Sequence, residues 1–272
     1  MPPTDVTKIN QDNVSFLRLW TRVQNYYRRN SARLVFRRPF IVRTSQPLIS
    51  FTFDDFPRTA LLTGGAILQR FGVAGTYYVS LGLLGMNSPS GTICVPEDLT
   101  ALLQQGHELG CHTFSHSHSW NTDRADFESS IVKNQEALKQ LIPGAEFKSL
   151  SYPISEPRPL TKRDASKHFS CCRAGGQTLN DGTVDLNQLS AFFLEQSLGR
   201  IQPIKDLIDR NRNTGGWLIF ATHDVCTAPS PYGCTPGFLE QVVQYAMDSG
   251  ARVLPVAEAL ETIRRQASEV TG

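Results

Sequence analysis

The 272-residue chain has no apolar run approaching the ~20 residues of a membrane-spanning helix, so no span is expected. Its first residues, MPPTDVTKINQDN, lack the basic-then-apolar pattern of an export signal, and a cytoplasmic location is the expectation. Charge of one sign is not in excess. The 27 Lys and Arg stand against 25 Asp and Glu, and a net +2 makes no global case for nucleic acid. The six cysteines include no CxxC pair, and Cys171 and Cys172 are adjacent, which excludes a zinc knuckle. Cys226 and Cys234 bracket a loop with Pro and Gly, where pairing stays open. Without an export signal, free thiols are expected. What is present is a globular composition, 40% hydrophobic and 19% charged, at a length normal for an α/β barrel in one domain.

The organising stretch is LISFTFDDFP, residues 48–57. Ile49, Phe51 and Phe53, with Ser50 and Thr52 between them, read as a short buried strand that ends in two carboxylates, Asp54 and Asp55. Chemistry in α/β folds sits just past the carboxyl ends of strands, so the pair is a candidate site; a solvated turn or a helix N-cap is the plainer alternative. Residues 106–120, GHELGCHTFSHSHSW, hold four of the six histidines. If the chain turns helical after Cys111, His112 and His116 stand four apart on one face. Two imidazoles and Asp55 suit a borderline divalent ion, and three protein ligands leave a position open, as in catalytic zinc sites. Zinc is the default metal for such ligands, with cobalt, nickel and iron also fitting.

The remaining pattern places these residues on a barrel. Residues 1–45 read as an N-terminal arm whose helix, from about Asp12 to Arg29, spaces Phe16, Leu19, Trp20, Val23, Tyr26 and Tyr27 along one face. The arm is basic and is expected to pack on the barrel or on a second subunit, giving a homo-oligomer; a membrane surface or an acidic partner is the alternative. From 46 to 268, strands and helices alternate. ALLTGGAILQRFG reads as a helix interrupted by Gly64 and Gly65, followed by strands in VAGTYYVS and HELGCH. NTDRADFESSIVKNQEALKQLIPG is a long helix burying Phe127, Ile131, Leu138 and Leu141. FKSLSYP, HFSCCRA and WLIFATHD are further strands, and LSAFFL is an ambiguous sixth. Seven or eight such units argue a parallel, TIM-barrel-like barrel, closed or partly open. Asp54, Asp55, His112, Tyr152 and His223 then share one rim.

Amide hydrolysis by a metal-assisted route needs a base for water, an acid for the leaving amine and an oxyanion donor. Asp54 and His223 suit the first two. A backbone N–H near Tyr152 suits the third. Tyr152 and Trp120 are candidate rings for stacking on a sugar, although plain packing suits Trp120 equally.

FTFDD, HTFSH (His112 to His116), SYP (Ser151 to Pro153) and ATHD (Ala221 to Asp224) resemble successive motifs of the polysaccharide deacetylases, the superfamily of the nodulation-protein-B homology domain that includes chitooligosaccharide and peptidoglycan deacetylases. The resemblance runs from about Leu48 to Leu260. It implies a distorted (β/α)7–8 barrel and a metal-dependent N-deacetylase in which Asp55, His112 and His116 bind the metal, Asp54 is the base and His223 the acid; Tyr152, Pro153 and Trp120 are the candidate substrate-binding residues. It also implies a structural His107. Three features depart from the pattern. The third motif has no Arg before its Pro-Tyr equivalent, leaving Lys148, Arg58, Arg158 or Arg173 as substitutes. Phe56 stands where Gly is usual. The Asp-Trp motif is not recognisable, with Asp164, Asp181, Asp185 and Asp206 as weak candidates. The alternative functions are hydrolysis of a small non-sugar amide and a degenerate, glycan-binding barrel without turnover.

Overall fold

The computed structural model describes residues 20, 21, 23, 24, 26, 27 and 30–271. The strands are β1 (Pro39–Val42), β2 (Leu48–Phe53), β3 (Thr76–Val79), β4 (Asn87–Ser88), β5 (Gly91–Thr92), β6 (Glu108–Cys111), β7 (Ser149–Ser151), β8 (Cys171–Arg173), β9 (Gly182–Asp185), β10 (Phe192–Phe193), β11 (Trp217–Thr222) and β12 (Arg252–Val253). The α-helices are α1 (Ala66–Arg70), α2 (Pro96–Gln104), α3 (Arg124–Leu141), α4 (Pro159–Ala165), α5 (Gln202–Thr214), α6 (Pro236–Asp248) and α7 (Val256–Thr271). One curled, parallel sheet runs β10-β11-β2-β3-β6-β7-β8, and β12 pairs with the start of β2. Beyond β8, the segment Leu186–Ala191 runs alongside it, with Leu189 N donating to Cys172 O and Ala174 N to Leu189 O, and leads into β10. The sheet with its outer helices forms a half-barrel, in keeping with the distorted (β/α) barrel that the resemblance implies.

Period-2 alternation divides the core. Trp217, Ile219 and Ala221 of β11 join one apolar cluster with Leu254, Val256, Leu260 and Ile263, while Leu218 and Phe220 join the larger cluster with Ile49, Phe51 and Phe53. Trp217 is wholly buried, and its indole N–H donates to Ser50 Oγ, which gives the buried hydroxyl a partner. Phe51 stacks on Phe220, and Phe53 on Tyr77. Together these rings fix β2 in the middle of the sheet.

Several expectations are corrected. Gly64 and Gly65 do not interrupt a helix. They close a π-helical turn, Ala60–Gly65, that continues into α1. A Cβ on Gly64 would stand 2.9 Å from the Phe53 ring, so the glycine lets this turn lie against β2. Leu141 is exposed, whereas Phe127, Ile131 and Leu138 are buried as expected. The strand within LSAFFL is only Phe192–Phe193. The hairpin of β4 and β5, strand β9 and helix α4 were not foreseen. All are too short to show a period.

The N-terminal helix continues to Leu34 rather than stopping near Arg29; Asp12, Phe16 and Leu19 lie outside the described residues. Its carboxyl end is held by Lys162. The buried ammonium donates to Ala32 O and Val35 O and pairs with Asp185. This satisfies terminal carbonyls and places a cation at the negative end of the helix dipole. After the helix, β1 pairs antiparallel with β9. The aromatic face of the helix is largely exposed at Trp20, Tyr26 and Tyr27, and Tyr27 meets Trp120 edge-on at 5.9 Å. All six cysteines are free thiols. Among the described residues no helix is long and apolar enough to cross a membrane.

His107 serves packing. Its Nδ1 accepts from Gly75 N at 3.0 Å, its ring lies against Tyr77, and burial pushes its pKa down to about 4. The unfolded chain takes up a proton near 6.5 and the folded chain does not. Stability should therefore fall as pH drops from about 6.5 towards 4, by up to ~3 kcal/mol. Urea unfolding across this window should show a steeper pH slope for the native chain than for His107→Gln. Identical slopes would remove the assignment.

Candidate metal and catalytic site

Parallel pairing brings the site residues to one rim. β2 lies between β11 and β3, with Phe53 opposite both Thr222 and Tyr77. Asp54 N donates to Thr222 O at 2.9 Å, which sets Asp54 and Asp55 beside His223. β6 ends at Cys111, and His112 N donates to Val79 O, so the first histidine leaves from the neighbouring strand end but one.

His112 and His116 do not share a helical face. Residues 112–116 form an irregular turn in which Thr113 (φ 59°) and His116 (φ 52°) take left-handed backbone conformations. Thr113 Oγ1 accepts from Ser117 N, and Ser130 Oγ of α3 accepts from Phe114 N, which hold the turn against the helix. Asp55 (φ 59°) and Phe56 (φ 48°) are also left-handed. Each costs about 1–2 kcal/mol for a residue with a Cβ. That explains why glycine suits the position of Phe56. Here the strain is offset by packing: Phe56 is wholly buried, its ring lies 5.0 Å from Tyr77, and its carbonyl accepts from Cys94 N.

The result is a three-ligand cluster. Nε2 of His112 and of His116 stand 3.4 Å and 3.2 Å from Asp55 Oδ1. One ligand atom from each of the three residues lies within 4.8 Å of the others, a cluster that could hold a metal ion. His112 Nδ1 donates to Ser151 O at 2.7 Å, which fixes the tautomer and leaves Nε2 as an acceptor. Asp55 Oδ1 is buried and has no hydrogen-bond partner. Lone pairs of an imidazole and a carboxylate facing each other across about 3 Å repel unless a cation or proton lies between them. The donor set, two nitrogens and one carboxylate oxygen, fits a zinc-like dication. Burial raises the Asp55 carboxyl, but His112, His116 and His223 outweigh it and hold the group well below its usual range. Burial, with His112 beside it, pushes His116 down to about 4, so its imidazole is neutral at pH 7.

Asp54, adjacent, is also buried, but it pairs with Arg173 of β8. Burial would raise its pKa, yet Arg173, His112 and His223 hold it below the ordinary value. The β7–β8 register sets Ser151 opposite Arg173, and Arg173 Nη2 donates to Ser151 Oγ as well as to Asp54. Arg173 is therefore the cation that the third motif lacks. Arg58 pairs with Asp98, Lys148 is exposed, and Arg158 N is bound to Ser119 Oγ. The carboxylates considered for the Asp-Trp motif are engaged elsewhere. Asp164 pairs with Arg124, Asp185 with Lys162, Asp206 accepts from Gln202, and Asp181 lines a separate cavity with Arg33 and Arg37.

His223 completes the rim. Its Nδ1 donates to Tyr232 O at 3.2 Å, so Nε2, 4.0 Å from Asp55 Oδ2, is the nitrogen free to exchange a proton. Phe193 stacks on the ring and Tyr232 lies across it. Asp224 is buried and accepts from Ser230 N and Oγ, bending the loop that returns Tyr232 to His223. Tyr152 does not line the rim. Its ring is wholly buried, its hydroxyl donates to Asn187 O, and its N–H is spent on Arg173 O. That N–H is not an oxyanion donor here. Pro153 is buried behind it, and Trp120 is half-buried against Tyr27. Ser151, Phe193, Tyr232 and Glu195 were not foreseen. Phe193 and Glu195 lie two residues apart at the end of β10 and just after it, Ser151 comes from β7 and Tyr232 from the loop after β11, and the sheet brings them together.

A family model described as polysaccharide deacetylase matches residues 41–169. Over those residues the chain resembles the polysaccharide deacetylase superfamily, as its motifs imply. Among solved structures, it is similar to the family 4 acetyl xylan esterase from Clostridium thermocellum in complex with a cobalt ion (21% identity, TM-score 0.55, 78% of this chain and 89% of that one). It is also similar to a peptidoglycan deacetylase from Bacillus subtilis (17%, 0.55, 82% and 94%). A third is a family 4 pseudoenzyme from Bacillus anthracis (10%, 0.55, 79% and 66%). At these identities the likeness shows the deacetylase fold. The search of curated proteins finds no match.

Proposed function

We propose that the chain removes N-acetyl groups from an amino-sugar polymer or oligomer, with a divalent cation held by Asp55, His112 and His116. The observation that carries this reading is the buried, unpartnered Asp55 Oδ1 facing two imidazole nitrogens, one with its tautomer fixed by Ser151. The superfamily supplies the reaction class, hydrolysis of a non-peptide carbon–nitrogen bond. When bound, the cation supplies Lewis-acid polarisation of the acetyl carbonyl and of water.

The chain's own residues do the proton work. Asp54, kept ionised by Arg173, takes a proton from the attacking water. His223 gives a proton from Nε2 to the departing nitrogen, while its Nδ1–H stays on Tyr232 O and keeps the ring in place. Phe193 stacks on the ring and Tyr232 lies tilted against it, which helps to hold it. The bond broken is C–N; the acetyl carbon leaves as acetate, and the nitrogen as an amine.

The experiment is acetate release by purified protein from chitooligosaccharides, peptidoglycan fragments and small amides, each with chelator and with added zinc or cobalt. Release from an N-acetylated glycan, abolished by chelator and restored by metal, is expected. Turnover of the small amides alone would favour a non-sugar substrate. No release from any substrate with metal bound would make the chain a binding barrel.

A further inference from the structure

Arg173 is held by one edge only. Its guanidinium lies 5.1 Å from the Tyr78 ring centre and 5.4 Å from that of Phe193, and the side chain is 1% exposed. Nη2 makes both of its polar contacts, to Asp54 and to Ser151 Oγ, whereas the buried Nε and Nη1 have no hydrogen-bond partner. Buried N–H groups without acceptors are costly, and a charged group raises that cost. Two residues beyond Phe193, in the 3₁₀ turn Leu194–Ser197 that follows β10, stands Glu195. Its Oε2 is also buried and unpartnered. Burial, and then the Asp54 charge, push its pKa up to about 7, while Arg173 acts the other way, so both members of the pair lie within its electrostatic reach. A carboxyl oxygen and a guanidinium edge, both without a partner, are complementary, and the Phe193 ring that lies against the guanidinium is two residues from Glu195.

We propose that Glu195 is a positioning residue that holds the outer edge of the Arg173 guanidinium, through one ordered water, so that the inner edge stays on Asp54. A water with two or three polar partners suits such a gap. The bracing matters because a guanidinium tethered at one nitrogen can pivot between Tyr78 and Phe193, and pivoting takes Asp54 with it. The kinetic part of the proposal rests on the reading of Asp54 as the base; the structural part does not.

Glu195→Ala is expected to lower kcat about 10-fold, the scale of a small misplacement of a reacting group, with KM within about twofold and metal content unchanged. Glu195→Gln, which keeps an acceptor oxygen, should restore most of the loss. In an Arg173→Lys background, Glu195→Ala should add no more than about twofold, because the residue acts through the guanidinium. A rise in KM instead would make Glu195 a substrate contact, and full additivity would make it independent of Arg173. Either result overturns the proposal. A second readout stands apart from activity. The ¹⁵N–¹H signal of Arg173 Nε, assigned by its loss in Arg173→Lys, should shift in Glu195→Ala and not in the surface variant Glu240→Ala. An unshifted signal overturns the bracing even if the protein is inactive on every substrate; a shifted signal in an inactive protein leaves the bracing standing and removes the base assignment.

Discussion

Asp54→Asn is expected to keep its metal, to lose stability because the buried Arg173 loses its counter-charge, and to lose hydrolysis by about 10²–10⁴-fold, the range of a general-base contribution. The asparagine Oδ1 still accepts from Arg173 Nη2, so the rim geometry survives. What is lost is the carboxylate adjacent in sequence to Asp55, which is not itself a candidate ligand. His223 cannot replace it. In its role as acid it already carries a proton on Nε2 as well as on Nδ1, where Tyr232 O accepts, so it has no site left to take one from water. The check is acetate release against metal stoichiometry on the same preparation. Equal turnover by Asp54→Asn would show that another group takes the proton.

Arg173→Met is expected to cost more than activity. Asp54 and Arg173 are both buried, and removing one member of such a pair leaves the other charge uncompensated, at about 3–5 kcal/mol. Arg173 is among the causes that hold Asp54 below its ordinary pKa, so without it burial prevails and the carboxyl binds a proton more readily. The sign follows. In the native chain this depressed carboxyl contributes stability above the unfolded value of 3.8, and that stability is lost as pH falls through the folded value. In Arg173→Met that contribution is gone, and the acid limb of the activity profile moves to higher pH. Arg173→Lys keeps the charge without the planar fork and should fold with an intermediate defect. Denaturant midpoints and pH–rate profiles of the two variants test this. A profile for Arg173→Met that overlays the native one would remove Arg173 from the site.

Much of the site was legible because it is encoded by strand ends. β2 announces itself by alternation and stops at Asp54 and Asp55, and β11 does the same before His223. His112 and His116 were legible as a pair, but for a mistaken reason. Four-residue spacing suggested a helix, whereas left-handed Thr113 and His116 build a turn that brings both rings to Asp55. The Thr113 hydroxyl, accepting from Ser117 N, and the Ser130 hydroxyl on α3, accepting from Phe114 N, hold that turn, and a four-residue spacing shows neither. Arg173 was one of four cations that could have served Asp54. It is selected by the register of β8 on β7, which no short pattern carries. Tyr152 misled for the opposite reason. A motif position at a strand end suggested the rim, but its side chain points to Asn187 and its N–H to Arg173 O. Glu195 follows a strand of two residues, too short for any periodicity to mark.

The central claim is that Asp55, His112 and His116 hold one cation. Metal analysis of the purified full chain, after dialysis against a trace of zinc, tests it most directly beside Asp55→Ala and His112→Ala. The account predicts about one divalent ion per native chain and essentially none in either variant, since a three-ligand site that loses one ligand no longer competes with the dialysis buffer. Variants that carry as much metal as the native chain would contradict it.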